Sequence, residues 1–188
     1  MLDFSGVFQG EKTIDDVLEG VGISELRDLT NEMTDTILGY MENCSDADVV
    51  FQPVDPKAND PYADDQGDEN LAWNLGHLVV HVTASSEEAA ALAAEMARGV
   101  EFHGRSRSEV PWQTVKTIEQ CRHRLEESRR MCLASLDMWP DNPDLDSKIK
   151  PFESAPEMNA IGRFSMGLAH AGSHLAQIQE VVRQAKAN

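Results

Sequence analysis

The stretch "IGRFSMGLAHAGSHLAQIQEVV", residues 161–182, decides the fold. Ile161, Phe164, Leu168, Ala171, Leu175, Ile178 and Val182 recur at alternating steps of three and four. That period puts them on one stripe of a helix, the seam by which a helix packs in a bundle. The same stretch holds His170 and His174, four residues apart. Four residues advance a helix by about 6 Å and slightly more than one turn, so both imidazoles project from one face. Such a pair suits a metal, but a specific site needs three or four ligands. A further ligand has to come from elsewhere in the chain.

Three more segments carry helical periodicity. In "SELRDLTNEMTDTILGYMENC" the repeating residues are Leu26, Leu29, Met33, Ile37, Tyr40, Met41 and Cys44, with Ser24 expected as the N-cap. A short amphipathic lead-in, Thr13 to Leu18, precedes it. The second helix is expected from Asn70 to about Arg98, on Leu71, Leu75, Leu78, Val82, Ala89, Leu92 and Met96. The third is expected from about Thr114 to Trp139, on Ile118, Cys121, Leu125, Cys132 and Leu136, ending at "WPDNPD". No segment alternates with period two, and there is no GxGxxG, P-loop or internal repeat. Four helices around one core predict an all-α four-helix bundle with long connections. A chain of 188 residues suits one well-buried core, so a single domain over 1–188 is expected.

Composition narrows the partners. With 33 acidic and 16 basic residues the formal charge is −17, which repels phosphate backbones and anionic membrane surfaces. Neither nucleic acid nor membrane is an expected partner. The most basic run, "CRHRLEESRR" at 121–130, interleaves Glu126 and Glu127 and reads as a solvated helix face. The N-terminal residues lack the basic start and apolar core of a signal peptide, and no run is long enough to span a bilayer. A cytoplasmic protein is expected. Cys44, Cys121 and Cys132 form no CxxC pair and read as reduced thiols in the core or at its boundary. The connection "FQPVDPKANDPYADDQGDEN" is acidic but does not follow the EF-hand spacing, so calcium is not expected there.

Of the remaining histidines, His103 and His123 lie in polar surroundings and read as surface residues. His77 and His81 are four apart in an apolar stretch where a charged imidazole is costly. Neutral imidazole is a good ligand for zinc, nickel, copper or iron, and bundles commonly build metal sites from facing helices. One or two histidines of the second helix could therefore meet His170 and His174. The HxxxH of the last helix lacks the Glu of an HExxH zincin, since Ala171, Gly172 and Ser173 intervene, so that protease mechanism does not carry over.

"WNLGHLVVHV", residues 73–82, followed about ninety residues later by "HAGSHLAQI", resembles the DinB/YfiT-like superfamily of metal-dependent enzymes. The family pattern has a Trp opening the second helix, a His eight residues on, and a final HxxxH followed by Gln-Ile. Trp73, His81, His170, His174, Gln177 and Ile178 fall on those positions. The resemblance implies an up-down-down-up bundle, with His81, His170 and His174 holding one divalent transition metal. Zinc or nickel is the first expectation, iron or manganese the second. His77 stands where relatives often carry an acidic or amide residue, which leaves it either a catalytic or substrate-facing group near the metal or a packed helix residue. Gln177, three residues beyond His174, would orient a ligand or a metal-bound water, or lie on the surface.

Three neutral ligands leave a coordination position open, the pattern of catalytic rather than structural sites. A metal so held lowers the pKa of bound water toward about 7 or deprotonates an incoming thiol. Two enzyme readings follow: thiol-dependent transfer or isomerisation, an activity some members of the superfamily are known for, and hydrolysis, which His77 could assist. A small molecule, including a low-molecular-weight thiol, is the expected partner. The non-enzymatic alternative is a metal-binding or stress-associated bundle that mainly dimerises, dimers being a tendency of the family. Trp112, Phe102, Trp139 and Phe152 lie in or beside the long connections and could wall a pocket or anchor loops.

Overall fold

The computed structural model describes residues 4–8, 11–60, 66–104 and 109–187. Two short helices, α1 (Ser5–Phe8) and α2 (Ile14–Val17), precede α3 (Ile23–Tyr40) and the single turn α4 (Asp46–Val49). Helix α5 (Leu75–Ala97) and α6 (Ile118–Asp137) follow, then α7 (Ala160–Ser173) and α8 (Leu175–Lys186). Among the described residues the only β contact is an isolated bridge, Ile149 with Met158, that ties off the connection into α7. The chain is thus all-helical, as the periodicity predicts.

Capping residues set where the helices begin, and they move three expected boundaries. The Asn74 side chain accepts from the His77 N–H at 2.9 Å, so α5 starts at Leu75 rather than near Asn70. Thr117 and Gln120 form a reciprocal capping box, with Gln120 N–H donating to Thr117 Oγ1 at 3.2 Å and Thr117 N–H to Gln120 Oε1 at 3.0 Å. That fixes the start of α6 at Ile118, four residues after the expected Thr114. Ser24 is not the cap of α3. Gly22 holds that position, its N–H donating to the Glu25 carboxylate at 3.0 Å, and Ser24 already lies inside the first turn.

The last helix is not continuous. The ladder is interrupted at His174, whose N–H donates back only three residues, to the Ala171 carbonyl at 3.1 Å. Ser173 Oγ donates to the His170 carbonyl at 2.6 Å, occupying the acceptor that a regular α-helix would offer to His174 N–H. A Gly-Ser pair just before the break is a common cause of such interruptions. Leu168, Ala171, Leu175 and Ile178 keep one buried stripe across it, which is why the periodicity reads as one helix.

Helix α5 is the centre of the bundle. Eighteen of its 23 residues are buried, including every residue from Leu75 to Ala84. It packs chiefly on α7 and α6, while α3 covers α6, α7 and α8. A satellite cluster of Phe4, Ile14, Leu18, Ala155 and Met158 seats the N-terminal helices against the connection before α7. Cys44, Cys121 and Cys132 are buried free thiols, and burial pushes Cys121 and Cys132 up to about 12, so they remain protonated. The basic face of α6 is laced to acidic partners, Arg129 to Asp35 at 2.6 Å and Arg130 to Glu127 at 2.7 Å. No described helix is long and apolar enough to cross a membrane. The acidic connection after α4 includes residues 61–65, which lie outside the described residues; before them Asp55 caps a tight turn by accepting from the Lys57 N–H.

Helices α5 and α7 run antiparallel, in a register their contacts define. His81 meets His170; seven residues further along α5, Glu88 meets Arg163, seven residues earlier on α7. Between these pairs lies Gly167. A Cβ there would stand 2.5 Å from Ala89 Cβ and 3.2 Å from Ser86 Cα, so only glycine permits the two backbones this approach. The sequence thereby sets the distance between the helices that carry the histidines.

Candidate metal centre

His81 from α5, His170 from α7 and His174 from the break between α7 and α8 converge at one place. One ligating atom from each lies within 4.8 Å of the others, a group that could hold a metal ion. His81 Nε2 and His170 Nε2 are 2.8 Å apart. Zinc–nitrogen bonds of about 2.0–2.1 Å in tetrahedral array separate ligand nitrogens by about 3.3 Å, so the rings need part by only about half an ångström. The donor set fits a borderline ion such as zinc, nickel or iron better than calcium or magnesium, which prefer oxygen.

The tautomers are set by neighbours. His174 Nδ1 lies 2.9 Å from Gln177 Oε1, which can only accept, so Nδ1 carries the proton and Nε2 is the basic nitrogen. Gln177 thus contacts a candidate ligand rather than the ion's position. His81 Nδ1 lies 3.3 Å from the Glu109 carboxylate, which likewise favours the proton on Nδ1 and a basic Nε2. With His81 Nε2 accepting, the proton shared at 2.8 Å belongs to His170 Nε2. A metal would take that proton's place.

Trp73 walls the group from the side. Its indole stacks on His77 at 4.4 Å between ring centroids, and lies 4.6 Å from His81 and 5.7 Å from His174. His77 is placed between two indoles, with Trp112 stacked on its other face at 4.9 Å and an interplanar angle of 3°. It therefore sits in the wall behind the three histidines. His103 pairs with Glu95 at 2.8 Å and is exposed, as is His123.

A groove of about 1180 Å³ opens on the three histidines, bounded by Trp73, Phe152 and Met166 and reaching Glu88 and Arg163. Of the aromatic residues expected at its walls, Phe152 lines it, Trp112 braces His77, and Trp139 is buried in the core.

Glu109 is the residue that periodicity could not find. It lies in the connection between α5 and α6, and only the fold carries it to His81. Loss of a carboxylate that orients a ligating histidine typically costs 10- to 100-fold in metal affinity. Glu109→Ala is expected to weaken zinc binding by about that factor, read by competition with a chromogenic chelator, without a change in stoichiometry.

Burial holds the His174 imidazole below its ordinary pKa, opposed by its hydrogen bond to Gln177 and reinforced by His81. The folded chain therefore binds less proton at this position than the unfolded chain, whose histidine titrates near 6.5. Stability gained from the neutral ring is present above about pH 6.5 and is lost as the pH falls below it. Thermal melting between about pH 7.5 and pH 5 should show this loss, and His174→Gln should show a shallower one.

Residues 29–178 match the family model described as the DinB superfamily, which covers most of the chain and all three histidines. No curated protein and no solved structure matches.

Proposed function

The chain belongs to the DinB superfamily, and from that membership and the converging histidines we propose that it is a metal-dependent enzyme acting on a small molecule through a low-molecular-weight thiol. The observation that carries this reading is that three imidazoles with set tautomers face a groove large enough for a small substrate. A divalent ion held there would act as a Lewis acid that lowers the pKa of a thiol entering its open position.

The residues supply the rest. Gln177 and Glu109 hold the Nδ1 protons of His174 and His81, so that two nitrogens present lone pairs without a proton to lose. Trp73 shields one side of the group, and Phe152 and Met166 give the groove apolar wall. Placement of His77 between two indoles favours transfer over hydrolysis, because hydrolysis would need a proton acceptor facing the groove and His77 is engaged in the wall. Thiol activation needs no further base beyond the ion.

The test is turnover of an electrophilic substrate panel by zinc- and nickel-loaded protein, with and without a panel of small thiols. Turnover that requires both metal and thiol is expected. Turnover without thiol would replace transfer with hydrolysis. No turnover by fully loaded protein across the panel would overturn the enzymatic reading in favour of a metal-binding bundle.

A further inference from the structure

The antiparallel register of α5 and α7 places a second pair of functional groups in the same groove. Glu88 and Arg163 lie seven residues from His81 and His170 respectively. At 1.5 Å per residue that is about 10 Å along the seam. Both side chains line the groove, yet each is only 5% exposed. Their closest approach, 3.8 Å, is longer than the 2.7–2.9 Å of a closed charge-assisted hydrogen bond. Burying two charges at that separation is costly for stability alone, and apolar residues would fill the seam more cheaply.

The polarity of the groove says what such a pair suits. Arg163 faces Glu88, with Asp60 and Glu153 also lining the groove. A lone carboxylate on Arg163 would lie against the negative charge of Glu88. A lone ammonium on Glu88 would lie against Arg163. A group carrying both charges meets neither repulsion: its carboxylate accepts from the planar guanidinium and its ammonium donates to the Glu88 carboxylate.

We infer that the Glu88–Arg163 pair is a recognition subsite for an α-amino-acid zwitterion, borne by a ligand whose metal-seeking atom lies about 10 Å away at His81, His170 and His174. The distance rests on the proposed metal; the charge preference does not. The pair is a specificity determinant that holds the far end of the ligand and takes no part in bond making.

The charge preference is tested on metal-free full-length protein with 2-aminooctanoate, octanoate and heptylamine, titrated by NMR. 2-Aminooctanoate should bind at least about tenfold more tightly than either singly charged analogue, as expected for one added buried charged hydrogen bond. Equal binding of the three, or binding of none, overturns the subsite. Glu88→Gln should remove the advantage over octanoate, and Arg163→Gln the advantage over heptylamine. Because the comparison is made within the native chain, it stands even where a variant fails to fold. The distance is tested with zinc-loaded protein, by comparing 2-amino-8-mercaptooctanoate with 8-mercaptooctanoate. Equal affinity there would overturn the spacing. Failure of the native chain to retain zinc would instead overturn the metal reading and leave the first comparison to decide the subsite.

Discussion

Replacing His170 with alanine is expected to abolish stoichiometric metal binding while leaving the helical fold intact. His170 is the middle of the candidate group, 2.8 Å from His81 and on the same helix as the approach to His174. If the roughly 10–16 kcal/mol of a four-ligand zinc site is shared evenly, one imidazole accounts for about 3 kcal/mol, more than a hundredfold in Kd. The side chain is only half-buried, so its removal leaves no sealed cavity, and the melting temperature of metal-free protein should move little. Metal content after dialysis, measured beside circular dichroism, separates these effects. His81→Ala and His174→Ala should lose metal equally. His103→Ala and His123→Ala should retain it, since neither residue is near the group.

Gly167→Val is expected to damage stability and the metal site together. Its Cβ would enter the space of Ala89 Cβ and crowd the Ser86 backbone, and neither can rotate away. Overpacking of this kind typically costs about 1–3 kcal/mol, relieved only by moving α7 off α5. That displacement would part His170 from His81, whose 2.8 Å contact lies less than one turn away. Gly167→Val should therefore melt lower and bind zinc more weakly than the native chain, with Gly167→Ala intermediate in both. Reduced stability with unchanged zinc affinity would show that the register of α5 on α7 does not govern the site.

What the sequence revealed about this site, and what it concealed, follows from how far apart the cooperating residues lie. His170 and His174 share a helical face by spacing alone, and Trp73 and His81 stand in a recognisable pattern eight residues apart. These are local relations, which periodicity reports. The break at His174 escaped because the apolar stripe from Leu168 to Ile178 runs through it unchanged; only the hydrogen bonds of Ser173 and His174 expose it. Glu109 escaped because a connection without periodicity delivers it to His81 from 28 residues away. Glu88 and Arg163 carried a faint signal, each seven residues from a histidine of the pair, but their meeting depends on the antiparallel register of α5 and α7. Helix starts moved by one to five residues because Asn74, Thr117 and Gly22 with Glu25 cap where propensity alone would extend or delay the helix.

The role of Trp73 shows the same division. Its position before α5 is visible in the chain, but its contact with His77, His81 and His174 at once is a product of folding. A large rigid ring touching two candidate ligands restricts their motion at little entropic cost to itself, which is what a site needs if its geometry is to be set before an ion arrives.

The most direct measurement is an anomalous difference map, collected at the zinc or nickel edge, from crystals of protein loaded to one metal per chain. One peak bonded to the Nε2 atoms of His81, His170 and His174, with a further coordination position open to the groove beside Phe152 and Met166, is the predicted result. A peak elsewhere, or one coordinated by fewer than these three histidines at full loading, would contradict it.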